Sequence, residues 1–433
     1  MRMLPSATNL IITVNGRTYI GTANTVYSNI PDQDGEVLSA NGWLALVPSA
    51  ADAVGLEYAK DTSGNVTGLV GQIKNDGTDF VIQASDFATI EAAINYANQF
   101  TYTNGSRPVI QLSALHSTIS SVVPIPFGLL FKGTKLLKAM SGVVGTPSGA
   151  GGNWTVILQL DSVTEITAGM IVGIGGDYVP HGGTNPLLLC GAFEVLSVDA
   201  TNHRITINVH SAYTVAPPSG AITSTFIYVF KNCLNFSGIA SVLGQGQAVE
   251  VTSLALLITD SNDGINIHNG SSIKLDHVEN LPVAVYSSDY SFTTSMVVWA
   301  QGIARMDACF FGNVIISADY LAAVHIDYAS VGNTVSDGAT AAVMCGEGSM
   351  VSAWSAIIVG ADYGVHAYQN ASISLDNAFV EYCGVGINAK NGAQVDAYRV
   401  TYAHNTVDRS PATLNTAGNY GALITDNFAS AIP

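Results

Sequence analysis

A repeat in the C-terminal half limits what this sequence can fold into. Three twelve-residue segments, 342–353, 364–375 and 386–397, follow one another at a constant interval of 22 residues, and segment 264–275 matches the same template. Each copy has two apolar residues separated by one residue, then a polar corner, then a second apolar pair. Such alternation predicts short β-strands that bury one face.

The polar corners of the repeat favour tight turns. Asn269-Gly270 and Asn391-Gly392 are residue types that adopt positive φ. A period near 22 made of strands and such corners is typical of a parallel β-helix, whose coils stack with their apolar residues inward. Leucine-rich repeats have a similar period, but their regular leucine frame is absent. We therefore predict a solenoid of roughly seven or eight coils over residues 233–402.

The composition excludes several classes of protein. The 433 residues include 15 Lys and Arg against 32 Asp and Glu, a formal net charge of −17, so no basic patch for nucleic acid is expected. Hydrophobic residues make up 48% and charged residues 11%, which excludes a disordered chain and a long coiled coil. No stretch approaches about 18 uncharged apolar residues, so we expect no membrane insertion.

The cysteines and glycine-rich segments show no sign of a metal or a cofactor. The five cysteines form no C-x-x-C pair, a pattern typical of small buried side chains in a chain that folds in a reducing cytoplasm. Gly173-Ile-Gly-Gly is not followed by a helical pattern, and no phosphate-binding loop motif is present. We expect neither a metal nor a cofactor.

The rest of the sequence divides into segments that differ in composition and in the spacing of their apolar residues. Asn15-Gly16 lies between two β-rich runs and is a type I′ hairpin signal. Apolar residues recur at helical spacing over residues 87–97. Long β-rich runs fill residues 153–230, and Asp199-Ala-Thr-Asn202 is predicted to form the turn between two of them. We predict five segments: an N-terminal module and linker at 1–75, a helix with the first coils at 76–152, an inserted antiparallel β domain at 153–232, the β-helix at 233–402, and a C-terminal tail at 403–433.

Two stretches of the chain carry a resemblance to known families. A helix such as Phe87-Ala-Thr-Ile-Glu-Ala-Ala-Ile94, followed by β segments and coils, resembles the pectate-lyase-like superfamily of right-handed parallel β-helices. In that superfamily the helix covers the open end of the solenoid, where strand edges need protection. Val14-Asn-Gly-Arg-Thr-Tyr19 and segment 30–43 are similar to the start of bacteriophage tail proteins. The whole chain resembles a phage tailspike or tail fibre.

The resemblance implies a fold, an assembly and a location. The fold is all-β: a right-handed parallel β-helix with an N-terminal capping helix, an inserted antiparallel β domain and a small N-terminal β-rich module. Tailspikes are homotrimers, so a homotrimer is implied, with residues 403–433 as a trimer contact. The N-terminal module would join other tail, baseplate or neck proteins. The protein would belong to the virion tail after synthesis in the bacterial host cytoplasm.

Aspartates at one position of the repeat suggest a hydrolytic site. Glycoside hydrolysis needs two carboxylates, about 5–5.5 Å apart in retaining and about 6.5–9.5 Å apart in inverting enzymes. Asp276, Asp307 and Asp376 each follow an inward apolar residue, and neighbouring coils are about 4.8 Å apart. We predict that Asp276 and Asp307 are catalytic, the alternative being that these aspartates cap turns. A polyuronate lyase is disfavoured because residues 260–402 contain only four Lys and Arg.

Outward side chains of the repeat suggest a sugar-binding face. His366 and Tyr368 alternate with inward residues, and aligning 323–328 as another copy puts His325 and Asp327 on the same face. Aromatic rings stack on pyranose faces and short polar groups bind hydroxyls, so we predict that these four residues contact substrate. The alternative is a polar sheet that faces solvent or another subunit. A His-Asp pair also suits a metal, but no third ligand has suitable spacing.

Three functions remain open from the sequence. The first, which we favour, is a spike that attaches to the host by binding a surface glycan, either LPS or a capsular or exopolysaccharide. The second is the same spike acting as a depolymerase that hydrolyses the glycan. The third is a structural tail protein without a carbohydrate role. Whether the chain is an enzyme stays undecided at this point.

Overall fold

The computed structural model describes most of the chain, in two compact units. The units are residues 1–82 with 92–109, and residues 83–91 with 110–433. Among the described residues, no helix is long and apolar enough to cross a membrane. The described residues are 3–5, 10–22, 34, 37–38, 40–45, 54–60, 66–74, 77–102, 105–120, 125–126, 128–175, 189–210, 219–236, 242–243, 248–258, 265–267, 272–275, 283–287, 295–332, 341–410 and 422–425.

The first unit contains the predicted hairpin. Leu10–Val14 pairs antiparallel with Arg17–Gly21. The turn residues Asn15 and Gly16 have φ angles of 48° and 77°, the left-handed conformation that a type I′ turn requires. A second antiparallel pair joins Met3–Pro5 to Trp43–Ala45. The hairpin predicted from Asn15-Gly16 is therefore confirmed.

A buried carboxylate ties the hairpin to the segment that follows it. Asp34 is 1% exposed and accepts hydrogen bonds from Tyr19 Oη at 2.6 Å, Asn15 Nδ2 at 2.7 Å and Arg17 Nη1 at 3.1 Å. These donors, with Tyr19 first, hold the pKa of Asp34 below its usual value. A carboxylate with three donors stabilises the hairpin even though both strands are short.

A β-sheet occupies residues for which the sequence predicts a linker. Val66–Lys74 pairs antiparallel with Val54–Lys60 and parallel with Phe100–Tyr102. Glycines interrupt the apolar residues of this run, so its strand pattern is weak in the sequence.

The predicted helix is present and spans Ile90–Ala97. It follows a 3₁₀ turn at Ala84–Asp86. Its buried face consists of Ile90, Ala93, Ile94 and Ala97, at 5%, 0%, 0% and 0% exposure, which is the spacing of one helical stripe. Its role as a cap of the solenoid stays a prediction. Along the chain, the strand Asp79–Gln83 precedes the helix, and the strand Arg107–Gln111 follows it after Phe100–Tyr102.

Three parallel sheets with one short strand per coil build the solenoid of the second unit. From residue 129 onward, sheet 1 contains Leu129–Lys132, Ala248–Thr252, Ser272–Leu275, Ile303–Arg305, Ala323–His325, Met350–Ser352, Ser372–Ser374, Gln394–Asp396 and Leu423–Thr425. Sheet 2 contains His116–Ile119, Cys233–Phe236, Ala255–Ile258, Ala284–Ser287, Phe310–Gly312, Ser330–Gly332, Ile357–Val359, Phe379–Glu381 and Thr401–Ala403. Sheet 3 contains Val242–Leu243, Ile265–Ile267, Ser295–Trp299, Ile315–Asp319, Ala341–Cys345, Tyr363–Ala367, Val385–Ala389 and Val407–Ser410.

The strand register confirms the repeat read from the sequence. Val343, Val365 and Ile387 are partners on successive coils, and each is 0% exposed. The first half of the template forms a strand of sheet 3 and the second half a strand of sheet 1. At the corner between them, Asn391 and Gly392 have φ angles of 51° and 79°. The all-β parallel solenoid is thus present, while its right hand stays a prediction.

The coils differ in length, although their strands stack in register. In sheet 2 the partners advance from Cys233 by 22, 29, 26, 20, 27, 22 and 22 residues to Thr401. Extra residues are accommodated between strands, where they leave the inward positions unchanged. For this reason the repeat is regular in the sequence only over its last copies.

An antiparallel barrel is inserted between two coils. Six strands pair in a closed ring: Lys135–Val143, Gly220–Phe230, Ile171–Ile174, Gly191–Asp199, Arg204–His210 and Asn153–Leu160, which returns to Lys135–Val143. A short strand, Ser148–Ala150, pairs beside Asn153–Leu160. The predicted turn is confirmed, since Asp199 Oδ1 accepts from the N–H groups of Thr201 and Asn202 at 3.1 Å each. The ring starts at Lys135, within the segment assigned to the first coils.

The barrel packs against the outer face of sheet 2. Ile171, Tyr228 and Phe230 of the barrel lie in one buried cluster with Phe310 of the coils. Gly332 allows close approach, because a Cβ there would lie 2.1 Å from the carbonyl oxygen of Cys190. The barrel therefore covers the middle of sheet 2, and polar groups that meet solvent on the described coils lie mainly on sheets 1 and 3.

Candidate functional site

The corner between sheets 1 and 2 holds two of the predicted site residues. Asp307 is 5% exposed; its Oδ2 accepts from Arg305 Nε at 2.8 Å and its Oδ1 from the N–H of Asp327 at 3.2 Å. Asp327 Oδ1 in turn accepts from Ser352 Oγ at 2.7 Å and from the N–H of Trp354 at 2.8 Å. Each aspartate thus binds a backbone N–H of the next coil.

This corner arrangement is that of turn-capping carboxylates. An aspartate that accepts backbone N–H groups stabilises a turn without needing to meet a ligand. The strand Ser272–Leu275 does lie on the coil next to Ile303–Arg305, as the paired-carboxylate prediction requires. Asp276 itself lies outside the described residues, so its catalytic pairing with Asp307 stays a prediction.

His325 and Asp327 do not share a face with His366 and Tyr368, so that expectation is wrong. His325 ends a strand of sheet 1 and pairs with Ser352, whereas His366 belongs to sheet 3 and pairs with Asn388. The motifs Val324-His-Ile-Asp327 and Val365-His-Ala-Tyr368 are similar in sequence, but the first begins in a strand of sheet 1 and the second in a strand of sheet 3. The four predicted contacts therefore form two separate surfaces.

The second surface is a column of outward side chains on sheet 3. Trp299 pairs directly with Asp319 on the next coil. Tyr368, two coils further on, donates from its Oη to Asp319 Oδ1 at 2.7 Å, and Ser317 Oγ donates to Oδ2 at 2.8 Å. We call Trp299, Asp319, Gly346 and Tyr368 the sheet-3 column.

Gly346 is what allows Tyr368 to reach Asp319. A Cβ at this position would lie 2.4 Å from Asp319 Oδ1 and 2.4 Å from Tyr368 Cζ, so any side chain would displace the phenol. Burial and the hydrogen bond to Asp319 raise the pKa of Tyr368. The hydroxyl therefore remains a proton donor, and the carboxylate is held in one orientation.

Two buried polar atoms beside the column have no hydrogen-bond partner among the described residues. They are His366 Nε2 and Glu347 Oε2. The His366 ring lies 5.5 Å from that of Tyr368 between centroids, and burial together with Lys390 lowers the pKa of His366. The imidazole is neutral at neutral pH, so Nε2 can accept or donate one hydrogen bond. Buried polar groups are normally satisfied, so each of these two atoms has the capacity for one further hydrogen bond to a small partner such as water.

Two exposed aromatic rings belong to this surface, one within the sheet-3 column and one beside it. Trp299 is 38% and Tyr320 57% exposed, and their ring centroids are 6.3 Å apart with an edge-on geometry. The sequence reasoning included His366 and Tyr368 but missed Asp319, Trp299 and Tyr320. Aligning Ile316-Ser-Ala-Asp319 with Val343-Met-Cys-Gly346 would have placed Asp319 in the column, although the unequal coil lengths conceal that alignment.

The described residues show no metal-binding group and no activated thiol. No three His, Cys, Asp or Glu among them lie together as ligands. All five cysteines are buried, as expected, and burial raises the pKa of Cys233, Cys345 and Cys383 to about 12. These thiols are protonated at neutral pH and pack as small apolar side chains.

Comparison with known proteins gives remote structural neighbours only. No family model matches the sequence, and no curated protein matches it. The chain is similar to XylC in complex with xylose, with a TM-score of 0.27 and 8% identity over 75% of this chain and 66% of that one. It is similar to the tailspike protein gp49 from Pseudomonas phage LKA1, with a TM-score of 0.22 and 13% identity over 82% and 59%.

A third neighbour is the Gp54 tailspike of Acinetobacter baumannii bacteriophage AP22 in complex with A. baumannii capsular saccharide. Its TM-score is 0.22 and its identity 11%, over 89% of this chain and 68% of that one. The chain covers less than two thirds of the first two neighbours. At TM-scores this low no function is inferred from the likeness, and the fold rests on the strand pairing described above.

Proposed function

We propose that this chain is a phage tail protein that attaches to host cells by binding a surface glycan at the sheet-3 column. The observation that carries the proposal is the exposed pair Trp299–Tyr320 beside Asp319 and Tyr368. Aromatic rings stack on pyranose faces, while a carboxylate accepts hydrogen bonds from sugar hydroxyl groups. Parallel strands fix the backbone spacing of Trp299 and Asp319, so these two positions need no backbone rearrangement when a sugar binds.

The test is removal of the rings. Trp299→Ala and Tyr320→Ala should each weaken binding to an arrayed bacterial surface polysaccharide by about tenfold or more, because central aromatic contacts contribute at least about 1.4 kcal/mol. Phe226→Ala is the matched control, since Phe226 is a 42% exposed ring on the barrel. Equal effects of all three variants, or no effect of the first two, would contradict the proposed site.

Hydrolysis of the bound glycan by Asp276 and Asp307 is kept as a second proposal. Nothing in the described geometry favours it over turn capping, because both oxygens of Asp307 accept hydrogen bonds. The third candidate function is that of a structural tail protein. This function would remain if the parent protein bound no polysaccharide of the array.

The proposed assembly is a homotrimer in the virion tail. Its support is the end of the solenoid: the outer edges of Leu423–Thr425, Thr401–Ala403 and Val407–Ser410 pair with no strand among the described residues. Open strand edges favour association with other chains, and we assign residues 403–433 to that contact. Mass measurement at micromolar concentration tests the proposal, which a monomer would contradict.

The N-terminal module is proposed to join other tail, baseplate or neck proteins. Because Val54–Lys60 pairs with Val66–Lys74, the deletion that tests this should end before residue 54. Removal of residues 1–50 should leave a soluble oligomer that no longer enters virions. A deletion variant that still enters virions would refute the attachment role.

A further inference from the structure

Sheet 1 presents three basic side chains in one line. Lys274, Arg305 and His325 are partners at the same register position on successive coils, and neighbouring coils are about 4.8 Å apart. We call these three residues the basic row. Residues 260–402 contain only four Lys and Arg, and two of them stand side by side here. The net charge of −17 conceals this local arrangement.

The cations of the row are more exposed than their acidic partners. Lys274 Nζ lies 3.5 Å from Glu250 Oε1, and the side chains are 39% and 27% exposed. Arg305 Nε lies 2.8 Å from Asp307 Oδ2, with exposures of 54% and 7%. Each pair therefore turns its positive member toward solvent. A ligand that approaches this face meets cations first, although the carboxylates reduce the net charge beneath them.

Asp307 acts here as a positioning residue for the guanidinium. Its Oδ1 is fixed by the N–H of Asp327 at 3.2 Å, and its Oδ2 accepts from Arg305 Nε. A guanidinium oriented by a buried carboxylate presents its planar fork in a defined direction, and that fork matches the two oxygens of a carboxylate. This role accounts for a buried Asp307 better than a catalytic one.

An aromatic ring lies at the corner beside the row. Trp354 is 41% exposed, and its ring centroid is 4.8 Å from that of Tyr328 in an edge-on arrangement. Its backbone N–H donates to Asp327 Oδ1 at 2.8 Å, which fixes the corner on the coil next to His325. An indole in this place can stack on a sugar face, so the corner adds a sugar contact to the charge of the row.

We propose that the basic row and Trp354 bind an acidic sugar, with the sugar carboxylate on Lys274 and Arg305. The inference rests on the proposed glycan-binding function and adds the chemical class of one sugar in the glycan. A carboxylate is favoured because the planar guanidinium pairs with it in two parallel hydrogen bonds. No bond is broken at this site.

The experiment uses the full chain and oligogalacturonate as the probe, with its methyl ester as the uncharged equivalent and a phosphomannan oligosaccharide as the phosphate alternative. The parent should bind the acid at least about tenfold more tightly than the ester. Lys274→Gln and Arg305→Gln should each lower the affinity for the acid about tenfold. Lys390→Gln is the matched control, because it removes one positive charge from sheet 3. Arg305→Lys keeps the charge without the fork and should bind less tightly than the parent.

Each outcome decides the proposal. Equal binding of acid and ester, or equal losses in Lys274→Gln and Lys390→Gln, would overturn it, and tighter binding of phosphomannan would overturn the carboxylate assignment. If Arg305→Gln fails to fold, the affinity of Lys274→Gln for oligogalacturonate decides the proposal alone. A parent that binds neutral array polysaccharides but not oligogalacturonate refutes this inference only. A parent that binds no array polysaccharide refutes the proposed function.

Discussion

Glu381 provides a direct test of how the coils are covered. It is an outward residue of sheet 2 between Val359 and Ala403, yet it is only 7% exposed. Its strand neighbour Val359 packs in one apolar cluster with Cys190, the residue before the barrel strand Gly191–Asp199. Among the described residues no hydrogen bond reaches the Glu381 carboxylate. Burial alone raises its pKa from 4.5 to about 7.

The size and sign of the effect follow from this pKa. A rise from 4.5 to about 7 corresponds to about 3 kcal/mol in favour of the protonated form in the folded state. This stabilisation is fully present below the unfolded pKa and is lost as the pH rises through about 7. Glu381→Gln removes the titration and keeps the shape. We therefore expect the variant to be more stable than the parent by up to about 3 kcal/mol at about pH 8.5, and equally stable at about pH 4.

Denaturant unfolding of parent and variant at both pH values measures the difference. Asp86→Asn is the control, because Asp86 is an exposed carboxylate of the same unit; an equal gain in that variant would show an effect of net charge rather than of burial. The reasoning is refuted if Glu381→Gln brings no gain at the higher pH. It is equally refuted if the gain is the same at both pH values, since a gain independent of titration would come from packing.

Three further perturbations test other parts of the structure. Gly332→Ala should lower the midpoint of thermal unfolding measured by calorimetry, because its Cβ would lie 2.1 Å from the Cys190 carbonyl oxygen and overpacking costs about 1–3 kcal/mol. An unchanged midpoint would mean that the segment around Cys190 shifts without a cost in stability. If the spike cleaves glycan at the predicted pair, Asp276→Asn and Asp307→Asn should each lower reducing-end release by orders of magnitude, whereas parental rates would leave both as turn caps. Asp34→Ala leaves three donors without their acceptor, so amide exchange in the N-terminal hairpin should become faster, and unaltered protection would contradict that role.

The solenoid could be predicted because its determinants are local. Inward residues such as Val365 and Ile387 alternate along each strand, and the corner residue Asn391 needs only its own left-handed conformation. Each coil contacts its neighbours alone, so a few regular copies suffice to define the fold. The turn at Asp199 was accessible for the same reason, since its hydrogen bonds span three residues.

The closed ring of the barrel could not be read in this way. Lys135–Val143 closes it by pairing with Gly220–Phe230 and with Asn153–Leu160. The first of these pairings joins residues 77 to 95 positions apart in the chain. The amino-acid sequence of neither strand indicates whether its partner belongs to a coil or to the barrel. Pairing over such distances is decided by packing rather than by local preference.

The candidate site depends on register across coils, which unequal coil lengths conceal. His325 and His366 occupy similar motifs, but one ends a strand of sheet 1 and the other lies within a strand of sheet 3. Trp299 and Asp319 are neighbours although 20 residues separate them, and Asp319 meets Tyr368 across 49 residues. A repeat of fixed length applied to this sequence would miss both contacts.

The two surfaces differ in kind, and that difference is itself informative about recognition. The sheet-3 column offers a ring pair with neutral or negative polar groups, which suits uncharged hydroxyl-rich sugars. The basic row offers Arg305 and Lys274 beside Trp354, which suits an acidic sugar. A glycan that contains both kinds of residue would satisfy each surface with a different part of its repeat. Simultaneous engagement of two weak sites on one chain or on neighbouring copies raises overall avidity without a new contact. Loss of either surface should therefore weaken attachment to a mixed glycan, whereas attachment to a glycan of uncharged sugars alone should depend on the sheet-3 column and be insensitive to loss of the basic row.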